Sequence, residues 1–162
     1  LARAAGLRTI VTSSSDERLA RARALGAHHT INHGSIPEWH EEVLHLTGNL
    51  GASVVLEVGG KGTVNRSVAS AAMGGTVAII GGVSGFGGEV NPATLLSSAK
   101  RMVGIYVGSR SMLEDVMRFA DVAGVKPTID RVFPFGQAQE AYRYMASGAH
   151  FGKVVIDVTD RS

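Results

Sequence analysis

Short apolar runs alternate with longer segments of helical period along most of the chain. The apolar runs predict strands over residues 8–12, 28–32, 52–58, 74–82 and 101–108. The segments between them predict helices over residues 16–25, 37–47, 62–73 and 91–100. Regular alternation of strand and helix is typical of parallel βα units. The pattern therefore predicts an α/β fold, an open and doubly wound parallel sheet.

Two of the apolar runs are nearly continuous. The run ASVVLEV covers residues 52–58, and GGTVAIIGG covers residues 74–82. Continuous apolar runs are typical of central parallel strands that are covered by helices on both faces of the sheet. We therefore expect both strands to be buried on both faces.

The rhythm changes after residue 108. The pattern there predicts a helix over 111–123, a strand over 127–135, a helix over 136–148 and a strand over 153–158. This order indicates a separate lobe or a returning segment. We expect a sheet domain at residues 1–107 and a C-terminal α/β segment at residues 108–162.

Composition limits the classes of partner. The chain has 162 residues, of which 44% are hydrophobic, with a formal net charge of +2. No block of one charge indicates a nucleic-acid or membrane surface. The absence of cysteine excludes disulfides and cysteine-ligated zinc within the chain. No apolar stretch approaches the roughly 20 residues that span a bilayer, and no signal-peptide pattern is present, so a cytoplasmic location is expected.

Glycine-rich segments are candidates for a phosphate-binding loop. A dinucleotide-binding loop follows the first strand, and the group that binds the ribose follows about 20 residues later. The segment GGKGTV (59–64) lacks an acid or a base at that distance. The segment GGVSGFGG (81–88) leads to Pro92 rather than to a tight helix start. It predicts a mobile loop or a bare backbone surface that a planar ring can approach.

The segment TSSSDERL, after the first predicted strand, favours a different position for the loop. If Ser13 binds the ribose, the glycines lie just before Leu1. LARAAG, at residues 1–6, is then the end of the helix that the loop opens. The sequence therefore predicts a sheet domain that is incomplete at its N-terminal end.

Five segments, in order and in register, carry a family resemblance. They are SSSDERLARARALGAHHTIN, ASVVLEVGGKGT, GGTVAIIGGVSG, GIYVGSR and HFGKVVI. Their spacing is similar to the zinc-type alcohol dehydrogenase and quinone oxidoreductase group of the medium-chain dehydrogenases/reductases. The resemblance implies a Rossmann-type domain that holds NAD(H) or NADP(H), preceded by a catalytic barrel outside this sequence. It also implies that zinc in the full-length parent is ligated by that barrel and not by this chain.

Ser13, Ser14 and Ser15 stand where the resemblance places the adenosine ribose. An aspartate there would accept bonds from both ribose hydroxyls and repel a 2′-phosphate, whereas an uncharged hydroxyl can donate to that phosphate. Arg18 is placed to pair with the phosphate. The alternative is that a serine caps the helix and Arg18 is a solvated charge. We expect NADP(H) to be preferred over NAD(H).

Further cofactor contacts are implied mainly by the resemblance. The nicotinamide ribose is expected at the ends of two strands, against Val58, Gly59, Ile80, Gly81 and Gly82. Strand ends are also where ligands bind in open α/β sheets generally. Backbone groups of Ile105 and Val107 are expected at the carboxamide, and Lys153 at the pyrophosphate, unless it is only an exposed strand-end lysine. His33 is expected to border the adenine pocket.

The six histidines do not predict a metal site in this chain. His28, His29 and His33 are close in sequence, but no acidic partner stands at ligand spacing. His40 and His45 are five residues apart, which turns them to different faces of a helix. We therefore expect no metal ligands here.

Three functions remain open. The first is an oxidoreductase that transfers hydride between the nicotinamide cofactor and an alcohol or carbonyl substrate, with zinc in the parent. The second is a zinc-free quinone or enone reductase, and the third is a non-catalytic nucleotide-binding module. The resemblance also implies a homodimer or homotetramer, for which the predicted strand 102–107 is a candidate edge.

Overall fold

A computed structural model of the chain describes residues 1–159. The last positions of the predicted C-terminal segment, 160–162, lie outside the described residues. The chain divides into two compact units, one from Ala2 to Ser109 and one that begins at Arg110. The functional boundary expected at residue 107 stays a prediction.

The first unit alternates strands with helices. Its elements are β1 (Ile10–Ser13), α1 (Asp16–Ala24), β2 (His29–Asn32), α2 (Trp39–Leu46), β3 (Ala52–Glu57), α3 (Val64–Ser70), β4 (Ala71–Ile79), α4 (Pro92–Ser97) and β5 (Arg101–Gly104). All of its strand pairs are parallel, with β1 beside β2 and a second ladder in the order β3-β4-β5. Among residues 1–159, no strand pairs with both β1 and β3. The predicted α/β fold with parallel strands is confirmed.

The start and end of α1 follow from local chemistry. Ser15 is the N-cap, and its Oγ accepts a hydrogen bond from the Arg18 amide at 3.3 Å. Asp16 and Glu17 occupy the first turn, where the helix dipole favours negative charge. The chain leaves the helix at Gly26, whose φ of +96° is accessible to glycine at little cost.

Several predicted boundaries are wrong by a few residues. The helix expected over 62–73 ends at Ser70, and β4 begins at Ala71. Ala71 pairs with Ala52 of β3, so the parallel ladder overrides the helical propensity of alanine. The helix expected from residue 37 begins at Trp39, and the one expected to reach residue 100 ends at Ser97.

The prediction that β3 is buried on both faces is wrong for the described residues. Val54, Leu56 and Val58 are 58%, 66% and 47% exposed. Successive side chains of a strand point to opposite faces of the sheet. The other face carries Val55 and packs against the buried cluster Val68, Ala71 and Val77. Within the first unit, the helices therefore cover one face of β3 and leave the other open.

A second cluster supports the β1–β2 ladder. Ile31 of β2 is buried with Trp39 and Val43 of α2, and Ile10 and Ala52 pack against them. Burial of such apolar side chains contributes about 1.5–3 kcal/mol each. This cluster links the β1–β2 ladder to the start of β3.

The second unit has its own elements, which are α5 (Arg110–Val122), β6 (Ile129–Pro134), a 3₁₀ turn (Phe135–Gln137), α6 (Ala138–Ala146) and β7 (Lys153–Asp157). Strands β6 and β7 pair in parallel around the fully buried Phe133. The Tyr144 ring lies 5.9 Å from the Phe133 ring, and its hydroxyl donates to Asp130 at 2.6 Å. The elements predicted after residue 108 are confirmed apart from small shifts at their ends.

Candidate functional site

Five predicted site residues lie at the carboxyl ends of β1 and β2. We call this group the serine end, and its members are Ser13, Ser14, Ser15, Arg18 and His33. Ser13 pairs with Asn32 in the ladder, and the His33 amide donates to the Ser13 carbonyl at 3.0 Å. Ser14 and His33 are exposed, and the other three are half-buried. The structure therefore brings the predicted ribose and adenine residues together.

The serine hydroxyls make local backbone bonds. Ser13 Oγ accepts from the Ser15 amide at 3.2 Å, and Ser15 Oγ accepts from the Arg18 amide at 3.3 Å. A hydroxyl that accepts such a bond still carries a hydrogen that it can donate. These two side chains can therefore hold their own loop and also donate to a ligand oxygen.

Asn32 and Asp16 also belong to this end, although neither was predicted from the sequence. Asn32 donates from Nδ2 to Asp16 Oδ1 at 2.7 Å, and its Oδ1 accepts from the Gly34 amide at 2.9 Å. Asn32 thus joins the end of β2, the turn after it and the first turn of α1. The available signal was an asparagine at a strand end with a glycine two residues later, since asparagine often bonds to the backbone two residues on.

The second group lies at the carboxyl ends of β3 and β4. We call it the glycine end, and its members are Val58, Gly59, Ile80, Gly81 and Gly82. Glu57 pairs with Ile79, and Ile79 pairs with Gly104 of β5, so the three strands end level with one another. Just beyond these ends, Val58, Ile80 and Ile105 are each about half exposed, at 47%, 48% and 48%. Three apolar side chains from adjacent strands thus lie beside glycines, whose backbone is not covered by side chains.

Hydrogen bonds join the two loops of the glycine end. The Val83 amide donates to the Val58 carbonyl at 3.0 Å, and the Ser84 amide donates to the Gly59 carbonyl at 2.7 Å. The Ser84 hydroxyl also donates to the Gly59 carbonyl at 2.7 Å and accepts from the Gly62 amide at 3.0 Å. The glycine-rich segment 81–88 is therefore bonded to the turn after β3 along its first half.

Glycine is required where these loops meet. Gly60 has φ +87°, and a Cβ there would lie 2.4 Å from the Gly85 carbonyl oxygen. A Cβ at Gly82 would lie 2.9 Å from the Phe86 ring. The exposed Phe86 ring can move aside, but the Gly85 backbone cannot, so a side chain at Gly60 would push the two loops apart.

Glu57 is the main residue of this end that the sequence analysis missed. Its side chain is 1% exposed and lies directly before the predicted contact Val58. Burial alone raises the pKa of its carboxyl group, but hydrogen bonds from Ser67, Thr63, Gly60 and Gly59 outweigh burial and leave the pKa below its ordinary value. The available signal was a single charged residue at the end of an apolar strand, because charges are buried only when they are hydrogen-bonded or paired.

Three other predicted cofactor contacts lie outside the serine end and the glycine end. They are Ile105, Val107 and Lys153. The Ile105 amide donates to the Ile79 carbonyl at 2.9 Å, so Ile105 lies beside the glycine end. Val107 follows two residues later and is 82% exposed. Lys153 lies in the other unit, where it begins β7 and its amide donates to Thr128 at 2.8 Å. Its predicted contact with a pyrophosphate stays a prediction.

Among residues 1–159, no three side chains of histidine, aspartate or glutamate come together as a metal site. In the same part of the chain, no helix combines the length and the apolar character needed to cross a bilayer.

Comparison with known proteins shows which family the chain belongs to. A family model described as zinc-binding dehydrogenase matches residues 1–122. The chain belongs to the zinc-binding dehydrogenase family. The resemblance to the zinc-type alcohol dehydrogenase and quinone oxidoreductase group is thereby confirmed, and with it the Rossmann-type fold.

Relatives within the zinc-binding dehydrogenases are longer than this chain. A zinc-type alcohol dehydrogenase-like protein of Schizosaccharomyces pombe is 42% identical over an alignment of 159 residues that covers 96% of this chain and 46% of that protein. A 2-haloacrylate reductase of a Burkholderia species is 30% identical over an alignment of 165 residues that covers 96% of this chain and 49% of that protein. The chain spans about half the length of these curated relatives.

Solved structures show the same fold. A crystal structure from Sinorhizobium meliloti 1021, assigned as an alcohol dehydrogenase, superposes with a TM-score of 0.90 at 41% identity, covering 96% of this chain and 45% of that chain. The structure of an NAD-dependent alcohol dehydrogenase superposes with a TM-score of 0.86 at 35% identity, covering 94% of this chain and 44% of that chain.

Proposed function

We propose that this chain is the cofactor-binding part of an NAD(P)-dependent oxidoreductase that transfers hydride between the nicotinamide and an alcohol or carbonyl substrate. The observation that supports this most is the glycine end. Val58, Ile80 and Ile105 form a half-exposed apolar surface beside glycines, at the strand ends where open α/β sheets bind ligands. A flat ring can pack there because no side chain stands in its way.

In this proposal, the residues of the chain bind the cofactor and orient it. The bound cofactor supplies the hydride chemistry. Val58 and Gly59 contact the nicotinamide ribose from one strand, and Ile80, Gly81 and Gly82 contact it from the next. Backbone groups of Ile105 and Val107 fix the carboxamide, so that one face of the ring is presented to the substrate. Their contribution is correct distance and orientation.

The serine end sets the choice between the two cofactors, and we propose a preference for NADP(H). Ser13 and Ser15 have hydroxyls that can donate to a 2′-phosphate, and Arg18 follows in the first turn of α1. A carboxylate at Ser13 would instead repel that phosphate. NAD(H) is the alternative, and the similarity to an NAD-dependent alcohol dehydrogenase at 35% identity favours it.

Substitution of Ser13 tests this preference. In the complete gene product, we expect NADPH to bind more tightly than NADH. We expect Ser13→Asp to weaken NADPH binding about tenfold or more, since one unfavourable charge contact costs about 1–3 kcal/mol. The dissociation constants are measured by titration of nicotinamide fluorescence. Ser97→Asp, on an exposed site in α4, is the control for added charge.

Each outcome of that titration separates two explanations. A reversed order of the two cofactors in Ser13→Asp, but not in Ser97→Asp, supports the role of Ser13. An unchanged ratio contradicts that role and leaves the preference to other residues. Absence of saturable binding of either cofactor to the wild type contradicts the proposed function itself.

A zinc-free quinone or enone reductase is the second candidate, because the 2-haloacrylate reductase is 30% identical to this chain. Oxidation of NADPH in the presence of an aldehyde, a quinone or an enone separates the two reactions. Loss of aldehyde reduction after treatment with a chelator, with recovery on adding zinc, supports the zinc enzyme. Chelator-resistant reduction of the quinone or enone supports the reductase. Binding without turnover supports a non-catalytic module.

We propose a homodimer or homotetramer that extends the sheet through β5. Within the described residues, Arg101–Gly104 pair with β4 alone, so one edge of β5 is open to another strand. The Ile105 amide donates to Ile79 of β4, so by strand alternation the Gly104 amide faces the open edge. Gly104→Pro removes this outward donor and should therefore shift the mass measured by light scattering toward the monomer. An unchanged mass contradicts assembly through this edge.

We also propose that the protein is cytoplasmic.

A further inference from the structure

Glu57 is a buried carboxylate at the end of β3 whose two oxygens are both hydrogen-bonded. Oε1 accepts from the Gly60 amide at 2.7 Å and from the Thr63 hydroxyl at 2.6 Å. Oε2 accepts from the hydroxyl of Ser67, which is itself buried. An ionised carboxylate has room for about four such donors, so this environment suits the charged form.

The donors to Glu57 belong to the turn after β3 and to the first part of α3. Thr63 occupies the N-cap position of α3, yet its side chain makes no capping bond and donates to Glu57 instead. Gly59 leaves room for this contact, because a Cβ there would lie 2.3 Å from Thr63 Oγ1. The carboxylate thus fixes the path of the chain from the strand into the helix.

The turn held by Glu57 also holds the loop after β4. The Lys61 amide donates to the Gly85 carbonyl at 2.9 Å, and the Gly59 carbonyl accepts from both the amide and the hydroxyl of Ser84. The backbone of Glu57 takes part as well, since its carbonyl accepts from the Ile80 amide at 2.8 Å. A shift of the Glu57 side chain would therefore move both loops of the glycine end.

We propose that Glu57 is a positioning residue, whose carboxylate holds the turn Val58–Gly60 and the loop bonded to it in the geometry that binds the nicotinamide half of the cofactor. This inference rests on the proposed function. Glu57 is buried beneath the turn, and its carboxylate accepts from the Gly60 amide and from the Thr63 and Ser67 hydroxyls. Its effect on the cofactor is therefore transmitted through the backbone of Val58 and Gly59.

Substitution by glutamine removes the charge at nearly constant size. An amide oxygen can still accept from Gly60 and Thr63, but it is a weaker acceptor than a carboxylate oxygen. The amide nitrogen can no longer accept from Ser67. We therefore expect a folded protein in which the turn is less firmly held.

Binding of the whole cofactor and of its adenosine half separates positioning from general stability. The probes are NADPH and adenosine 2′,5′-bisphosphate, titrated into the complete gene product. Glu57→Gln should raise the dissociation constant of NADPH about tenfold, because the turn that contacts the nicotinamide half loses part of its charge-assisted support. The dissociation constant of adenosine 2′,5′-bisphosphate should stay within about twofold, because the adenosine half binds at the serine end.

Two further variants make the test independent of one substitution. Thr63→Val removes a hydroxyl that donates to Glu57 at nearly constant shape, and it should weaken NADPH selectively in the same way. Ser70→Ala is the matched control, because the buried Ser70 hydroxyl donates to the Ser67 carbonyl within α3 and not to Glu57. It should lower stability without changing the ratio of the two dissociation constants.

The possible results have different meanings. Selective loss of NADPH binding in Glu57→Gln or in Thr63→Val supports the inference. Equal weakening of both ligands, or no change in either, overturns it and leaves Glu57 a structural residue. If the wild type binds adenosine 2′,5′-bisphosphate and NADPH, failure of the inference leaves the proposed function intact. If the wild type binds neither, both are overturned.

Discussion

At the serine end the polar side chains are exposed or half-buried and bond to nearby backbone, whereas at the glycine end a buried carboxylate and two bonded loops set the geometry. Removal of the Ser13 hydroxyl takes the acceptor from the Ser15 amide. Removal of the Glu57 carboxylate takes the acceptor from three donors at once. The two ends of the proposed cofactor site therefore differ in how far their side chains are tied to the fold.

This difference indicates a division of roles. The adenosine half of a dinucleotide needs selection between a hydroxyl and a phosphate, which a surface side chain can make without rearranging the core. The nicotinamide half needs a fixed distance and orientation for hydride transfer, which flexible surface groups do not provide. Substitutions at the glycine end should therefore affect stability strongly, and those at the serine end should affect it weakly.

The largest difference in the free energy of unfolding is expected between Glu57→Ala and Ser13→Ala. Glu57→Ala leaves the Gly60 amide and the Thr63 and Ser67 hydroxyls without their acceptor, and it should lower the free energy of unfolding by about 3 kcal/mol. Ser13→Ala should lower it by only about 0.5 kcal/mol, since the Ser15 amide it leaves is partly solvated. Urea unfolding measures both. Equal losses would contradict the proposed difference between the two ends.

A smaller contrast is expected between two glycines of positive φ. Gly60→Ala places a Cβ 2.4 Å from the Gly85 carbonyl, whereas Gly74, with φ +68°, has no atom within 4 Å of that position. Gly74→Ala therefore costs only the backbone strain, about 1 kcal/mol. Gly60→Ala should cost about 2 kcal/mol more and should also weaken NADPH binding. Similar losses of stability in the two variants would show that the loops of the glycine end are not held together.

The smallest expected effect is a change in the free energy of unfolding at low pH. The pKa of Glu57 in the folded state is below its ordinary value of 4.5. Its contribution to stability is therefore complete above pH 4.5 and is lost as the pH falls through the folded pKa. The stability advantage of the wild type over Glu57→Gln should shrink below pH 4.5. The stability of Ser13→Ala relative to the wild type should stay constant, and a constant difference for Glu57→Gln would contradict the account.

Much of the fold could be predicted because its periodicity is strong. The strands near residues 10, 29, 52 and 101 and the N-cap Ser15 follow from apolar runs and local hydrogen bonding. The boundary at Ser70 could not be predicted, because the alanines after it favour a helix and become a strand only through pairing with β3. The exposed face of β3 was also missed, since an apolar run does not show which of its faces a helix covers.

The candidate site was predicted in part. The order of the strands places Val58 and Ile80 at neighbouring strand ends without any knowledge of side-chain contacts. Glu57 was missed, because its importance lies in donors six and ten residues further along the chain that meet only in the folded state. Asn32 was missed for the same reason, since its partner Asp16 lies on a different element.

A crystal structure of the complete gene product with bound NADP⁺ tests the central claim most directly. The account predicts that the nicotinamide ribose packs against Val58, Gly59 and the Gly81–Gly82 backbone. It also predicts that the 2′-phosphate lies within hydrogen-bonding distance of Ser13, and that the Glu57 carboxylate stays bonded to Gly60 and Thr63 without contacting the cofactor. A nicotinamide ribose placed away from these strand ends, or bonded directly to Glu57, would contradict it.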